Sequence, residues 1–524
     1  MFRGTRVIEK LPRGPSAGKV DLSRPITGNV VMLAQLVRNH CLVPLLTALF
    51  LVGCASNDVR RGFADVEQAL GTDTKTTVQL HEAGYFPWSV RLNHPGLIVG
   101  IEKSPRETVA PENGIQTHYD GSAGEGLREK VDLLHDNPKM LFLSQLYEYG
   151  GRYEDPACAH YSVYEANSNQ SFMGPCNGEH RGAHIDDAGR MPGAFQGGVE
   201  AVQVLRQRVQ EWIDIEEEAD DPFTHVLMIV MGWNTSQLEA YRNFNSIVGN
   251  MKATHQGDQF KPLVIGVTWP SFWENDWLDP LVRGLSYRNK ANDADELGLS
   301  WVGLIAREVL ADVDTEDIET VLIGHSFGAR AVATATCAGP VIAGNGVGDP
   351  GQQDAWLIDT VVALQPAFSI NRFYSRDDGD WFNEEIHFPA GCRHARNVVM
   401  TASRHDTAVD MQIIADMIGD VDQYKDHCLH TDHPAFHCGT MLADDLVGRR
   451  AGKRFDNILY VNASDSIRLN SPQTSGGGHS DIYREASGRM IWSFLRAVDE
   501  DHLGMECRPV GAGTRAERER QGGA

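Results

Sequence analysis

The stretch Gly324-His325-Ser326-Phe327-Gly328 follows the apolar run Val321-Leu322-Ile323 and leads at once into Ala329-Arg330-Ala331-Val332-Ala333. A serine held between two glycines where a predicted strand turns into a predicted helix sits in a tight elbow. Side chains at the flanking positions would collide with the neighbouring strand and helix. The elbow lifts the Ser326 hydroxyl over the sheet edge and places the backbone N–H of Phe327 in the first helical turn, where it could stabilise an oxyanion. A serine hydroxyl is a poor nucleophile near neutral pH. It needs a histidine to take its proton and an acid to orient that histidine, and the three together perform acyl transfer through a covalent intermediate.

Both partners lie downstream. The run Asn397-Val398-Val399-Met400-Thr401 ends in Ala402-Ser403-Arg404-His405-Asp406, which places Asp406 on a loop just past a strand. Gly476-Gly477-Gly478-His479-Ser480-Asp481 places His479 on a glycine loop beyond the last predicted strand. Asp410 and Asp359 are rival acids, although the first is a helical turn further on and the second begins a strand. His405, His430, His433 and His437 are rival bases, and all precede the final strand. A second oxyanion donor is expected after an earlier strand, where Gly232-Trp233-Asn234 follows Val226–Met231, and the backbone N–H of Trp233 is the candidate.

A competing constellation is His427, Cys428, His430, Asp432, His433, His437 and Cys438. Imidazoles and thiolates at that density could hold zinc. The histidines have no regular spacing on one helix face, and a disulfide pinning a loop is the preferred reading. No metal and no organic cofactor is therefore expected.

The elements that must position these residues alternate. Apolar runs at His225–Met231, Pro262–Val267, Thr320–Gly324, Asp359–Leu364, Asn397–Thr401 and Asn457–Val461 read as strands. Val202, Leu205, Val209, Trp212 and Ile213 fall at helical spacing, and Leu299 to Val313 reads as an amphipathic helix. Alternation of this kind predicts an α/β fold, a mostly parallel sheet with helices on both faces. Residues 196–499 are expected to form this domain. Residues 76–195, rich in Gly, Pro, His and aromatics, read as an irregular N-terminal extension or cap, and 500–524 as a flexible tail.

Three ordered segments, Met231 to Asn234, Thr268-Trp269-Pro270-Ser271 and the Ser326 elbow, resemble the signatures of a largely uncharacterised group of bacterial α/β-hydrolases with HGYN-, WPS- and GHSMG-like motifs. That group's acid motif resembles Ser403 to Asp406, and the likeness spans about 222–495. It implies the α/β-hydrolase fold and the chain order serine, acid, histidine. One departure is Met231, where the group usually has histidine. The resemblance implies a carboxylesterase- or lipase-like serine hydrolase with Ser326, Asp406 and His479 as its triad and a small-molecule or lipid-like ester as substrate. Trp269, Phe272, Trp273 and Trp277 could line an acyl pocket or belong to the core. The alternative is a catalytically inactive binding lipoprotein on the same scaffold.

The N-terminus adds a compartment. Met32 to Cys54 has a basic start at Arg38, an apolar run from Cys41 to Val52 too short to span a bilayer, and Leu51-Val52-Gly53-Cys54. The last four residues resemble the lipobox of bacterial lipoproteins, in which the cysteine is acylated. Residues 1–31 then lie upstream of the true start, 32–53 form the signal peptide, and 54–75 form a tether from a lipid-anchored Cys54. Ala55 resembles the pattern of lipoproteins sent to the outer membrane, so the expected place is the bacterial cell envelope, facing the periplasm. The chain of 524 residues carries a net charge of −24, which disfavours nucleic acid as a partner. Nine cysteines suit an oxidising space, with Cys158–Cys176 and Cys428–Cys438 favoured by proximity and Cys337 expected to be a free buried thiol.

Overall fold

Valine, isoleucine and leucine dominate the six predicted runs, and in the computed structural model each is a strand whose side chains are buried on both faces. The structure describes residues 91–103, 141–150, 157–163, 174–176 and isolated positions between 127 and 134; it also describes 193–499 apart from 234, 255–259, 272–289, 314–316, 343–356, 375–385, 409–415, 444 and 470–476. The signal segment, Cys54, the tail, Asn234, Asp410 and the aromatics Phe272, Trp273 and Trp277 lie outside these residues.

The predicted runs become β4 (His225–Val230), β5 (Pro262–Thr268), β6 (Glu319–His325), β7 (Ile358–Leu364), β8 (Ala395–Ala402) and β11 (Phe455–Asn462). They belong to an eleven-stranded sheet that also contains β1 (Pro95–Lys103), β2 (Leu141–Gly150), β3 (Cys158–Ser162), β9 (Phe436–Leu442) and β10 (Asp445–Arg450). Its order is β10-β9-β11-β8-β7-β6-β4-β5-β1-β2-β3. Every pairing from β9 through to β1 is parallel, and the pairs at the two margins, β9/β10, β1/β2 and β2/β3, are antiparallel. One face carries α1 (Ala194–Glu218), a helical segment α3 over 290–310 and α4 (Phe327–Cys337). The other carries α2 (Gln237–Thr254) and the final helix α6 (Glu485–Asp499). A short helix α5 (Val421–Tyr424) precedes β9. This is the expected α/β architecture, and burying each aliphatic side chain of the central strands contributes about 1.5–3 kcal/mol.

Three expectations need correction. Part of the region read as an irregular extension is sheet: β1 pairs in parallel with β5 through Gly96↔Val264 to Gly100↔Thr268, and β2 and β3 continue outward from it. β1, β2 and β3 thus share one sheet with the predicted strands. Their Gly-containing runs gain strand character only by pairing, which a local pattern does not show. The segment read as an amphipathic helix is buried nearly all round, because Gly298 lies against Ala331 and Thr334 of α4 while Trp301 donates its indole N–H to the Leu141 carbonyl at 2.9 Å. Cys337 is not a free thiol: it is bonded to Cys392, fifty-five residues later, alongside Cys158–Cys176 and Cys428–Cys438.

Candidate active site

The Ser326 elbow is shaped by close packing. Ser326 has φ 56° and ψ −117°, a left-handed conformation that costs a non-glycine residue about 1–3 kcal/mol. Neighbours hold it there: its N–H donates to the Leu364 carbonyl at 3.0 Å, and its carbonyl accepts from Arg330 and Ala367. A Cβ on Gly328 would lie 2.1 Å from the Val230 carbonyl, and one on Gly324 would lie 2.5 Å from that of Gly328. Both glycines are therefore required by the approach of α4 to β6 and β4.

The loops that carry Asp406 and His479 meet each other. Asp406 lies on the loop after β8 and is buried, and its Oδ2 lies 2.7 Å from His479 Nδ1. A carboxylate only accepts, so Nδ1 carries the hydrogen and Nε2 is left to accept a proton. Backbone contacts join the same loops: Asp406 bridges Gly477, and the Gly478 N–H donates to the His405 carbonyl. Gly477 takes φ 62°, and a Cβ there would lie 2.5 Å from the His405 oxygen, so this glycine lets the two loops close on one another. Asp406 Oδ1 also accepts from the Ala408 N–H at 3.0 Å.

His479 reaches the elbow through its neighbour. The ring of His325 packs on the His479 ring at 4.8 Å between centroids, and His325 Nε2 donates to the His479 carbonyl at 2.9 Å. Among the described residues no hydrogen bond joins the Ser326 hydroxyl to the imidazole; such contacts are often long before substrate arrives. Burial, and then the neighbouring His479, push the His325 pKa down to about 3.

The loop after β4 lies against the elbow. A Cβ on Gly232 would come within 2.8 Å of both the His325 carbonyl and Ser326 Cβ, and the Trp233 ring packs on Phe327 at 6.0 Å. The Thr268–Ser271 segment braces this loop. Trp269 donates its indole N–H to the Met231 carbonyl at 2.7 Å, so its buried ring is structural, while Ser271 Oγ bonds both the N–H and the carbonyl of Thr235. Met231, at the position of the departure, is buried with the Tyr483 hydroxyl 4.0 Å from its sulfur.

The rival residues stand elsewhere. Asp359 binds the N–H and hydroxyl of Thr320 at the opposite ends of the strands. His405 is on the acid loop, its imidazole beside Arg404 and its pKa lowered by desolvation and then by that arginine. His430 and His433 are exposed, and His437 is buried in β9. In the histidine-rich segment Cys428 and Cys438 are disulfide-bonded and His427 Nδ1 meets the Tyr374 hydroxyl at 3.0 Å. Among the described residues, the group close enough to share a metal is Cys158, His160 and Cys176, and its two sulfurs are joined to each other.

Two features had no sequence signal. Gln365 follows β7 directly with φ 47°, and its side-chain amide donates to Asp406 Oδ2 at 2.9 Å, the same oxygen that meets His479. Behind the elbow, Asp295 of α3 forms two-point ion pairs with Arg330 of α4 and with Arg372, at 2.7 to 3.0 Å, and accepts from Thr334. All three charged groups are buried. Arg330 is one helical turn after Ser326, so this cluster fixes α4 from below.

No protein-family model matches the chain, and no curated protein does. Among solved structures the chain is similar to a cutinase-like protein from Cryptococcus sp., at 11% identity and a TM-score of 0.22, covering 52% of this chain and 94% of that one. It is similar to a lipase-esterase related protein from Clostridium acetobutylicum at 10% identity and a TM-score of 0.21, covering 53% and 95%. A third likeness is to a metagenomic carboxyl esterase, at 14% identity and a TM-score of 0.21, covering 53% and 76%. The α/β fold is established by the strand order and pairing described above.

Proposed function

We propose that the protein is a serine hydrolase that cleaves ester-like acyl substrates through an acyl-enzyme on Ser326. The observation that carries this reading is the Asp406–His479 contact at 2.7 Å, formed beside the elbow by loops from the ends of two parallel strands. Nε2 of His479 takes the Ser326 proton as Oγ attacks the carbonyl carbon, and the oxyanion receives the backbone N–H groups of Phe327 and Trp233. His479 then returns the proton to the leaving alkoxide, which departs as an alcohol. Water attacks the acyl-enzyme by the same relay and releases the carboxylic acid. Asp406 keeps Nδ1–H in place throughout, and the sequence of steps requires no metal or organic cofactor.

The substrate we propose is a small-molecule or lipid-like ester, met at the bacterial cell envelope by a protein anchored through a lipid on Cys54, facing the periplasm. This placement rests on the likeness of Leu51-Val52-Gly53-Cys54 to a lipobox, and no nucleic acid is invoked. The test is hydrolysis of p-nitrophenyl esters of increasing chain length by the wild-type protein and by Ser326→Ala. Turnover that disappears in the variant supports the enzyme. Folded wild-type protein without turnover on any chain length favours the catalytically inactive binding lipoprotein.

A further inference from the structure

We infer that His325 is a positioning residue for the base: its Nε2–H holds the main-chain carbonyl of His479 and so ties the base to the strand that carries the nucleophile. The inference rests on the proposed function, and it concerns a side chain for which that reaction assigns no task.

The base needs such an anchor because of its own loop. His479 follows Gly477-Gly478, two residues without side chains to restrain the backbone. The Asp406 carboxylate orients the imidazole about its own bonds but leaves the His479 peptide unconstrained. The Gly478 N–H, bonded to the His405 carbonyl, ties the residue before the histidine to the Asp406 loop, and the Gly478 carbonyl accepts from Asp481 within the same turn. On the far side of the residue, the carbonyl of His479 lies 2.9 Å from His325 Nε2. One anchor therefore comes from the acid strand and the other from the nucleophile strand, so the base is located relative to both of its partners.

The chemistry of His325 suits that task. A carbonyl only accepts, so His325 must carry its hydrogen on Nε2. Its Nδ1 faces the tight crossing of Gly232, where a Cβ would come within 3.3 Å. His325 is 4% exposed, its ring against that of His479 at 4.8 Å with the planes tilted by 42° and bounded on another side by Tyr483 at 6.3 Å, near edge-on. Tyr483 is in turn fixed, its carbonyl accepting from Asn250 of α2 at 2.7 Å. Burial keeps the ring neutral, with a pKa pushed down to about 3, so it donates without placing a cation beside the base.

The experiment compares His325→Gln, whose side-chain amide reaches where Nε2 lay, with His325→Leu, which fills the space without a donor. Both are assayed on the p-nitrophenyl ester that the wild-type protein turns over, with thermal melting to show folding. The Leu variant should lose roughly 10²-fold in kcat with KM changed by less than about threefold, and the Gln variant should recover most of that loss. A folded Leu variant with wild-type kcat, or a Gln variant as slow as Leu, overturns the inference. Nitrogen-15 NMR of the folded Ser326→Ala protein gives a readout independent of turnover. A His325 proton on Nε2 is expected, and one on Nδ1 overturns the inference even where the Leu variant does not fold. Wild-type protein that turns over no ester defeats the hydrolase reading itself, while the NMR result still decides whether His325 holds the His479 carbonyl.

Discussion

Asp406 Oδ2 accepts from both His479 Nδ1, at 2.7 Å, and the Gln365 amide, at 2.9 Å. One carboxylate oxygen thus meets the His479 imidazole and is itself held by a residue just past the adjacent strand. With Oδ1 occupied by the Ala408 N–H, the carboxylate has no freedom to rotate away from the imidazole.

Asp406→Asn should therefore leave the fold intact and lower kcat by roughly 10⁴-fold, since an amide presents the wrong hydrogen-bonding partner to Nδ1. Gln365→Leu should cost about tenfold in kcat, because the carboxylate keeps its charge and loses one restraint. Steady-state kinetics on a p-nitrophenyl ester checks both, and a Gln365→Leu loss as large as that of Asp406→Asn would contradict the ranking.

Gly328→Ala should destabilise the protein by more than about 3 kcal/mol, because the added methyl meets backbone at both Val230 and Met231 and neither can move without opening the sheet. Thermal unfolding measures it. A melting temperature equal to that of the wild type would mean that α4 is not seated as described.

Asp295→Ala should be more damaging than an ordinary ion-pair deletion. It leaves the buried guanidinium groups of Arg330 and Arg372 without the carboxylate between them, at a cost of about 3–5 kcal/mol. Urea unfolding of the variant is the check, and a loss below about 1 kcal/mol would show that the charges are solvated.

Acid should destabilise the protein in a defined window. The His325 pKa falls from 6.5 to about 3 on folding, chiefly by burial, so below pH 6.5 the unfolded chain binds a proton that the folded chain refuses. The stability contribution is full above that pH and is lost as pH falls toward about 3, at no more than about 1.4 kcal/mol per pH unit. His94, lowered to about 4 by burial and then by Lys252, adds in the same direction. Urea midpoints between pH 7 and 4 should fall less steeply for His325→Gln than for the wild type, and parallel curves would contradict the assignment.

The contrast between what was and was not legible follows the range of the interactions. The Ser326 elbow is a local event, a strand, two glycines and a helix within a dozen residues, so residue types alone describe it. Asp406 could be nominated because it lies on a loop just past an apolar run, and His479 because its glycine loop lies beyond the last one; the structure brings them together. Gln365 had no signal, since its part depends on a backbone with positive φ aiming an amide across to the neighbouring strand. Asp295, Arg330 and Arg372 are ordinary charged residues in sequence, and only packing makes them one cluster. Cys337 was misread for the same reason: its partner is remote, and a cysteine in an apolar helix looks like a small hydrophobe. The margins of the sheet were equally obscure, because β1 to β3 and β9 to β10 acquire their strand character by pairing with neighbours.

The central claim is that Ser326 is a nucleophile activated by His479. Incubating the protein with a fluorophosphonate and mapping the adduct by peptide mass spectrometry addresses it most directly. A single phosphonyl group on Ser326, formed at least about 10³-fold more slowly in His479→Ala, is the expected result. Folded wild-type protein with no adduct, or with the adduct on another serine, would contradict the account.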